Sequence, residues 1–256
     1  LYETFKRVRV SFLGKLNDAD LAARLRELSQ VLCIVNTRKH ARELFQRIRD
    51  LPGSYHLSAL MCPVHRSAVL AEIRERLAAG ETCRLISTQL IEAGVDVDFP
   101  VVYRSAAGID SLAQAAGRCN REGKRKEGQV YLFQPEAHGL PGGWFKRTAT
   151  LGEMILRQVS DPLSIQAVKD YFTLLYDIEG EGLDRKGIMS SLEEGCGKLA
   201  FPFQKVAAEF RIIESPTEAL ISPWDDNCRE LLYRAKNSSL LGGFARKFQP
   251  YVVQLY

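Results

Sequence analysis

The sequence predicts an α/β fold: a mostly parallel sheet with helices on both faces, then a smaller mixed α+β or mainly helical accessory domain. Three observations predict it. Short apolar runs alternate with amphipathic helical patterns through the first half of the chain. A run such as residues 31–35 is apolar throughout, as strands covered on both faces are. Near Pro135 the rhythm stops, and turn-rich and helical stretches replace it.

The elements follow in order. Residues 5–13 read as a strand, with Phe5, Val8, Val10 and Phe12 at its apolar positions. Residues 18–28 read as a helix, with Leu21, Leu25 and Leu28 on one face. A short strand over 31–35 follows. Thr37 then starts a helix whose period is given by Ala41, Leu44, Phe45 and Ile48. Residues 55–60 read as a strand. Residues 66–79 read as a helix, with Val69, Ile73 and Leu77 in register and Gly80 as the stop. Cys83–Ser87, 101–104 and 130–133 are further apolar strands, with a helix over 111–119 between the last two.

The run His138-Gly139-Leu140-Pro141-Gly142-Gly143 marks a boundary. The expected division is a lobe over 1–140, linker helices over 141–180, and part of an accessory domain over 181–256. Helices are expected over 151–160 and 163–176, a turn-rich stretch over 179–197, and a helix over 225–235. Residues 210–213 and 219–221 are expected to pair as strands, and 252–256 reads as an unfinished strand.

Bulk properties narrow the function classes. The 256 residues are 46% hydrophobic and 26% charged, which is globular composition rather than disorder. A net charge of +4 permits a nucleic-acid partner without arguing strongly for one. The six cysteines, Cys33, Cys62, Cys83, Cys119, Cys196 and Cys228, form no CxxC pair and no zinc-ligand spacing with histidine. They read as reduced, mostly buried thiols of a cytoplasmic protein. No apolar run is long enough to span a bilayer, and no membrane partner is expected. The chain opens on Leu1, so a processed product or a piece of a longer protein is expected.

Two segments carry chemistry. In the first, a buried strand ends in Ser87-Thr88-Gln89, and the following loop ends in Gly94-Val95-Asp96-Val97-Asp98. The second is Gln114-Ala115-Ala116-Gly117-Arg118-Cys119-Asn120-Arg121. On a continuous helix that spacing places Gln114, Arg118 and Arg121 on one stripe. Two guanidiniums there would fork phosphate oxygens, and Gly117 would admit close approach. Residues 36–38, residues 88–98 and the segment from Ser105 on fall at the carboxyl ends of strands, where α/β sheets bind ligands.

Each signal has a plainer reading. Alone, Arg118 and Arg121 would be surface arginines; the company of Gln114, Gly117 and the first segment favours the fork. Thr88 also suits a helix N-cap, and Asp98 reads as a turn former before Pro100. Lys124, Arg125 and Lys126 read as a solvated loop, His65 as structural and Cys119 as a packed thiol. Trp144 and Phe145 read as an interdomain anchor. Tyr171, Phe172, Leu175 and Tyr176 read as the core face of a helix.

Together the two segments resemble motifs V and VI of superfamily 2 helicases. The match extends upstream, where Val35-Asn36-Thr37-Arg38-Lys39-His40-Ala41 looks like motif IV and residues 57–66 look like the next family segment. The form Ser-Thr-Gln-x-x-Glu-x-Gly-Val-Asp-x-Asp-Phe over 87–99 resembles that of the CRISPR-associated type I interference helicase–nucleases, and residues 209–214 resemble their C-terminal domain. The resemblance is good over 31–135. It implies a second RecA-like lobe of an ATP-dependent helicase acting on single-stranded DNA in antiviral CRISPR interference. Under it, Arg121 is the arginine finger and Arg118 a second phosphate contact. Asp96, Gln114 and Gly94 fall to the nucleotide side. Thr88, Gln89, Asn36 and Thr37 grip phosphates of the nucleic acid, with Arg66 a further candidate.

ATP and Mg2+ are implied for the whole protein only. The sequence holds no G-x-x-x-x-G-K-[ST] loop, no D-E-x-H-type magnesium motif and no expected metal set among its four histidines. The family keeps those parts, with a nuclease domain, N-terminal to this lobe. The chain is therefore expected to supply half of an ATP site, to be inactive alone, and to work with the missing lobe and an RNA-guided surveillance complex. Two alternatives stay open: another superfamily 2 RNA or DNA helicase or remodelling ATPase lobe, and a non-catalytic docking module.

Overall fold

A computed structural model describes residues 6–196, 200–210, 217–238 and 243–255. Phe5 of the first expected strand, residues 211–213 of the strand expected over 210–213, residues 211–214 of the stretch that resembles the family's C-terminal domain, Gly197 of the turn-rich stretch and Tyr256 of the last expected strand lie outside the described residues.

Six strands form one parallel sheet: β1 (Val8–Leu16), β2 (Gln30–Ile34), β3 (Ser54–Leu57), β4 (Cys83–Ser87), β5 (Val101–Ser105) and β6 (Gly128–Pro135), in the order β1-β6-β5-β2-β4-β3. Successive residues of β2 point to opposite faces, and both faces are covered. On one side Val31, Cys33, Ile86, Tyr103 and Phe133 pack against Leu21 and Leu25 of α1 (Asp18–Glu27) and Ala41 and Leu44 of α2 (Arg38–Gln46). On the other, Leu32, Ile34, Leu85, Val102 and Leu132 pack against Ile73 of α3 (Pro63–Ala78) and Leu112 and Ala115 of α4 (Ile109–Ala116). Burying such side chains stabilises by about 1.5–3 kcal/mol each.

Local chemistry sets the helix starts. The Asn17 side chain accepts from the Asp20 amide and caps α1, and Thr37 accepts from the His40 amide and caps α2. Pro63, whose missing N–H costs nothing in a first turn, starts α3 earlier than the expected residue 66. The expected strand over 55–60 ends at Leu57, because the Ser58 hydroxyl accepts from the Leu60 amide and turns the chain.

Helices α5 (Trp144–Leu156) and α6 (Ile165–Glu179) lie against the same core through Leu151, Ile155, Ala167, Tyr171 and Leu175. Tyr171 Oη donates to Asp110 Oδ1 at 2.8 Å and pins α6 to α4. Tyr176, expected in the core face, is exposed. Beyond come α7 (Ile188–Cys196), α8 (Phe203–Glu209), α9 (Asp226–Lys236) and α10 (Ala245–Phe248). The expected strand at 219–221 exists as β7 (Glu218–Ile221), but its partner is β8 (Val252–Leu255), in antiparallel register. Phe210, expected in a strand, instead caps α8. His65 stacks on Trp224 at 4.9 Å, fastening the start of α3 to this region. No described helix is long and apolar enough to cross a membrane.

The connection after β2 leads to β3 on one side of the sheet, and that after β5 leads to β6 on the other. Their divergence opens a crevice between the carboxyl ends of β2 and β5, where sheets of this class bind ligands.

Candidate functional site

Asn36 fills that crevice. Its Nδ2 donates to Ser105 Oγ at 3.0 Å and Ala106 O at 2.8 Å, and its Oδ1 accepts from Arg104 Nη1 at 2.6 Å. Sequence reasoning placed Asn36 on nucleic acid; its amide is spent inside the protein, so any such contact falls to its backbone. The Thr37 hydroxyl likewise caps α2.

Beneath Asn36 lies a buried ion pair that sequence reasoning did not single out. Arg104 is wholly buried at the end of β5, and its Nε lies 2.7 Å from Glu92 Oε1. That contact is ionic rather than an aligned hydrogen bond. Glu92 Oε2 accepts from Ser111 Oγ at 2.8 Å. Burial pushes the Glu92 carboxyl up and the Arg104 guanidinium down, and each charge opposes the shift of the other. The signal available was an arginine inside an apolar strand.

Between β4 and Glu92 the chain makes a 3-10 turn over Gln89–Ile91. Thr88 occupies its N-cap position but makes no capping hydrogen bond, so its hydroxyl is not spent there. Gln89 is half-buried beside it. The Val35 amide donates to Ser87 O at 2.9 Å, so the turns carrying Asn36 and Thr88 leave neighbouring strands side by side. Arg66, on α3, lines a 230 Å³ cleft with Leu57, Leu90, Ile91, Ala93 and Val95.

The second segment departs from expectation. Helix α4 ends at Ala116 with Gly117 as its C-cap, so Gln114, Arg118 and Arg121 do not share a helical stripe. The chain turns out of the helix to bridge Phe99: the Phe99 amide donates to Arg118 O, and the Asn120 amide donates to Phe99 O. Asn120 then adopts φ +47°, a left-handed conformation that asparagine tolerates better than most residues.

The two arginines diverge. Arg118 is buried; Nε donates to Ile91 O at 3.0 Å and Nη2 to Glu92 O at 2.5 Å. The fork expected for phosphate is largely committed to the backbone of the preceding segment. Arg121 instead stays exposed, and its Nε lies 2.9 Å from Asp96 Oδ1. Its backbone is fixed: the amide donates to Asp98 Oδ1 at 2.7 Å, and the carbonyl accepts from Arg7 Nη1 at 2.6 Å. Asp98, expected to turn the loop before Pro100, instead caps a turn 23 residues further along the chain. Asp96 is 75% exposed, and Gly94 before it has φ +71° with open space where a Cβ would stand. Gln114 is exposed, and its side chain makes no hydrogen bond among the described residues. An open carboxylate, an open guanidinium and a glycine loop suit a nucleotide with its ribose hydroxyls and terminal phosphate.

Lys124 pairs with Glu122, and Arg125 lies 3.7 Å from Asp98. The described cysteines are unpaired, with Cys196 exposed and the other five buried. Burial raises the Cys83 and Cys119 thiols to about 12, which disfavours their nucleophilic thiolate forms.

Comparison with known proteins agrees with this layout. The family profile of CRISPR-associated nuclease/helicase Cas3, C-terminal, matches residues 27–124. The chain is 35% identical to the CRISPR-associated nuclease/helicase Cas3 of Haloferax volcanii over 223 residues, covering 74% of this chain and 23% of that protein. It is 35% identical to that of Methanothermobacter thermautotrophicus over 109 residues, covering 43% of this chain and 12% of that protein. It thus spans less than a quarter of each of these relatives. Among solved structures it is similar to T. fusca Cas3 with ADP, at a TM-score of 0.61 and 17% identity, over 98% of this chain and 36% of that one. It is also similar to a chain of a CRISPR RNA-guided surveillance complex, pre-nicking, at 0.60 and 18%, over 98% of this chain and 37% of that one. Residues 27–124 thus match the C-terminal segment of the CRISPR-associated nuclease/helicase Cas3 family, and the chain resembles a C-terminal helicase lobe of that family.

Proposed function

We propose that this chain is the second motor lobe of an ATP-driven translocase on single-stranded DNA, working in CRISPR interference. The observation that carries the reading is the exposed Asp96–Arg121 pair, held by a fixed backbone in the segments that lead into β5 and β6. The similar T. fusca Cas3, solved with ADP, AMPPNP and ATP, supports a nucleotide as the ligand of such a lobe. A relative in a surveillance complex supports that partner.

ATP, with Mg2+, supplies the phosphoryl group whose transfer drives motion. On this chain, Arg121 leaves Asp96 as the lobes close and lies against the developing charge of that group. Such fingers are worth roughly three to five powers of ten in rate. Asp96, released, accepts from a ribose hydroxyl, and Gly94 gives room for it. Arg118 is a positioning residue that couples the arginine turn to the Thr88–Glu92 segment. Thr88, Gln89 and the amides after β2 hold phosphates of the strand, gripping without base specificity.

The test is DNA-stimulated ATP hydrolysis by the full-length protein, with Arg121→Ala beside it. At least a roughly tenfold loss, about 1.4 kcal/mol, is expected. Unchanged turnover in the variant would remove Arg121 from the reaction, and stimulation by RNA alone would move the substrate from DNA to RNA.

A further inference from the structure

Two of the histidines that look scattered in the sequence meet in the fold. Asp18 starts the helix after β1, His40 sits in the first turn of the helix after β2, and His138 follows β6, so the carboxyl edge of the sheet brings them together. His40 Nε2 lies 3.0 Å from Asp18 Oδ1, and His138 Nε2 lies 3.1 Å from Asp18 Oδ2. Glu43, on the same face of α2 as His40, places Oε2 3.6 Å from His138 Nε2. The two imidazoles stack at 3.9 Å with 14° between their planes. The donor atoms of Asp18, His40 and His138 all fall within 4.8 Å of one another.

We propose that Asp18, His40, His138 and Glu43 form a binding site for a divalent transition-metal ion such as zinc. Ligands about 2.0–2.1 Å from a tetrahedral ion stand roughly 3.3 Å apart, close to the spacings found here. Two imidazoles and two carboxylates are a donor set that zinc and its neighbours accept and that magnesium does not favour. The charges suit it: two carboxylates and two neutral rings balance a dication. Burial favours the neutral, ligating form of His40, which is 1% exposed. The proposed motor chemistry uses none of these four side chains. The ion would tie the start of α1 and the segment after β6 to the first turn of α2, directly behind Asn36 and Thr37.

The test compares the full-length protein with its His138→Ala variant, since other parts of the protein can bind metal and only the difference reports this site. Both are dialysed against zinc and analysed for metal, then loaded with cobalt(II). The wild type is expected to hold one more zinc per chain than the variant. Its cobalt spectrum is expected to carry additional visible bands of a four-coordinate site. Zinc should raise its Tm more than that of the variant. If His138→Ala does not fold, Asp18→Asn, which keeps the side chain's shape, serves in the same comparison. Equal zinc content and identical cobalt spectra would overturn the site and leave the cluster a hydrogen-bond network. Equal gains from magnesium and zinc would overturn the ion's class.

Discussion

Arg104 Nε lies 2.7 Å from Glu92 Oε1 in the interior of the sheet's carboxyl edge, where neither side chain reaches solvent appreciably. Through Asn36 and Ser111 this pair joins the turns after β2, β4 and β5 and the start of α4. Desolvating two charges offsets most of their attraction, so net stability does not explain the pair. Its position does: it fixes the crevice floor on which the strand-gripping turns after β2 and β4 stand.

Removing one partner should therefore cost far more than removing both. Glu92→Ala leaves an uncompensated guanidinium in the core and is expected to lower stability by about 3–5 kcal/mol. The double variant Glu92→Leu, Arg104→Met should recover most of that loss while DNA-stimulated ATP hydrolysis stays impaired. Urea denaturation with a matched turnover assay checks both. A single variant losing under about 1 kcal/mol would show that the interior is hydrated enough to tolerate the charge.

Asn120 holds the arginine turn. Nδ2 donates to Arg7 O and Arg125 O, and Oδ1 accepts from the Arg125 amide. Asn120→Ala strands these groups and strains the positive φ, for an expected loss of about 1–3 kcal/mol. Asn120→Gly relieves the backbone strain but not the lost bonds, so it should fall between the two. Both should slow ATP turnover, because the Arg121 backbone is anchored through the same turn. Unaltered denaturation curves for both would mean the turn holds itself.

The sheet was legible because its strands are local apolar runs and its helices local periodic ones. β2 and β4 are five-residue buried segments, and α1 and α2 begin at Asn17 and Thr37, side chains with a capping oxygen. The site was legible in its residue types but not its geometry. Spacing put Arg118 and Arg121 on one helix, yet Gly117 ends that helix and a bridge to Phe99, far back in the chain, redirects it. The Glu92–Arg104 pair, the meeting of His40 and His138 on Asp18, and the pairing of β7 with β8 all join residues distant in sequence. No local period encodes such contacts.

The Asp96–Arg121 pair is exposed on both sides and should contribute little to folding. Asp96→Ala and Arg121→Ala are each expected to change stability by less than about 1 kcal/mol. Turnover should respond differently. If Asp96 parks Arg121 and then contacts the nucleotide, the two act as a unit, and the double variant should lose little more activity than the worse single one. Strictly additive losses in kcat/KM would show two independent roles.

His56 and His65 give the lobe a definite response to acid. Burial lowers both below the ordinary 6.5, and His56 Nε2 has no hydrogen-bond partner, while its ring stacks on Phe45 at 5.4 Å. A histidine whose folded pKa is depressed stays neutral while the unfolded chain takes up a proton. Its contribution is thus fully present above about 6.5 and is lost as pH falls through the folded value. Tm should decline between about pH 7 and about pH 5, before most carboxylates titrate. His56→Leu keeps the packing against Phe45 and removes one titrating group, so its Tm should fall less steeply across that window. A wild-type Tm that is flat or rises on acidification would mean that His56 and His65 are hydrated enough to accept protons in the folded state.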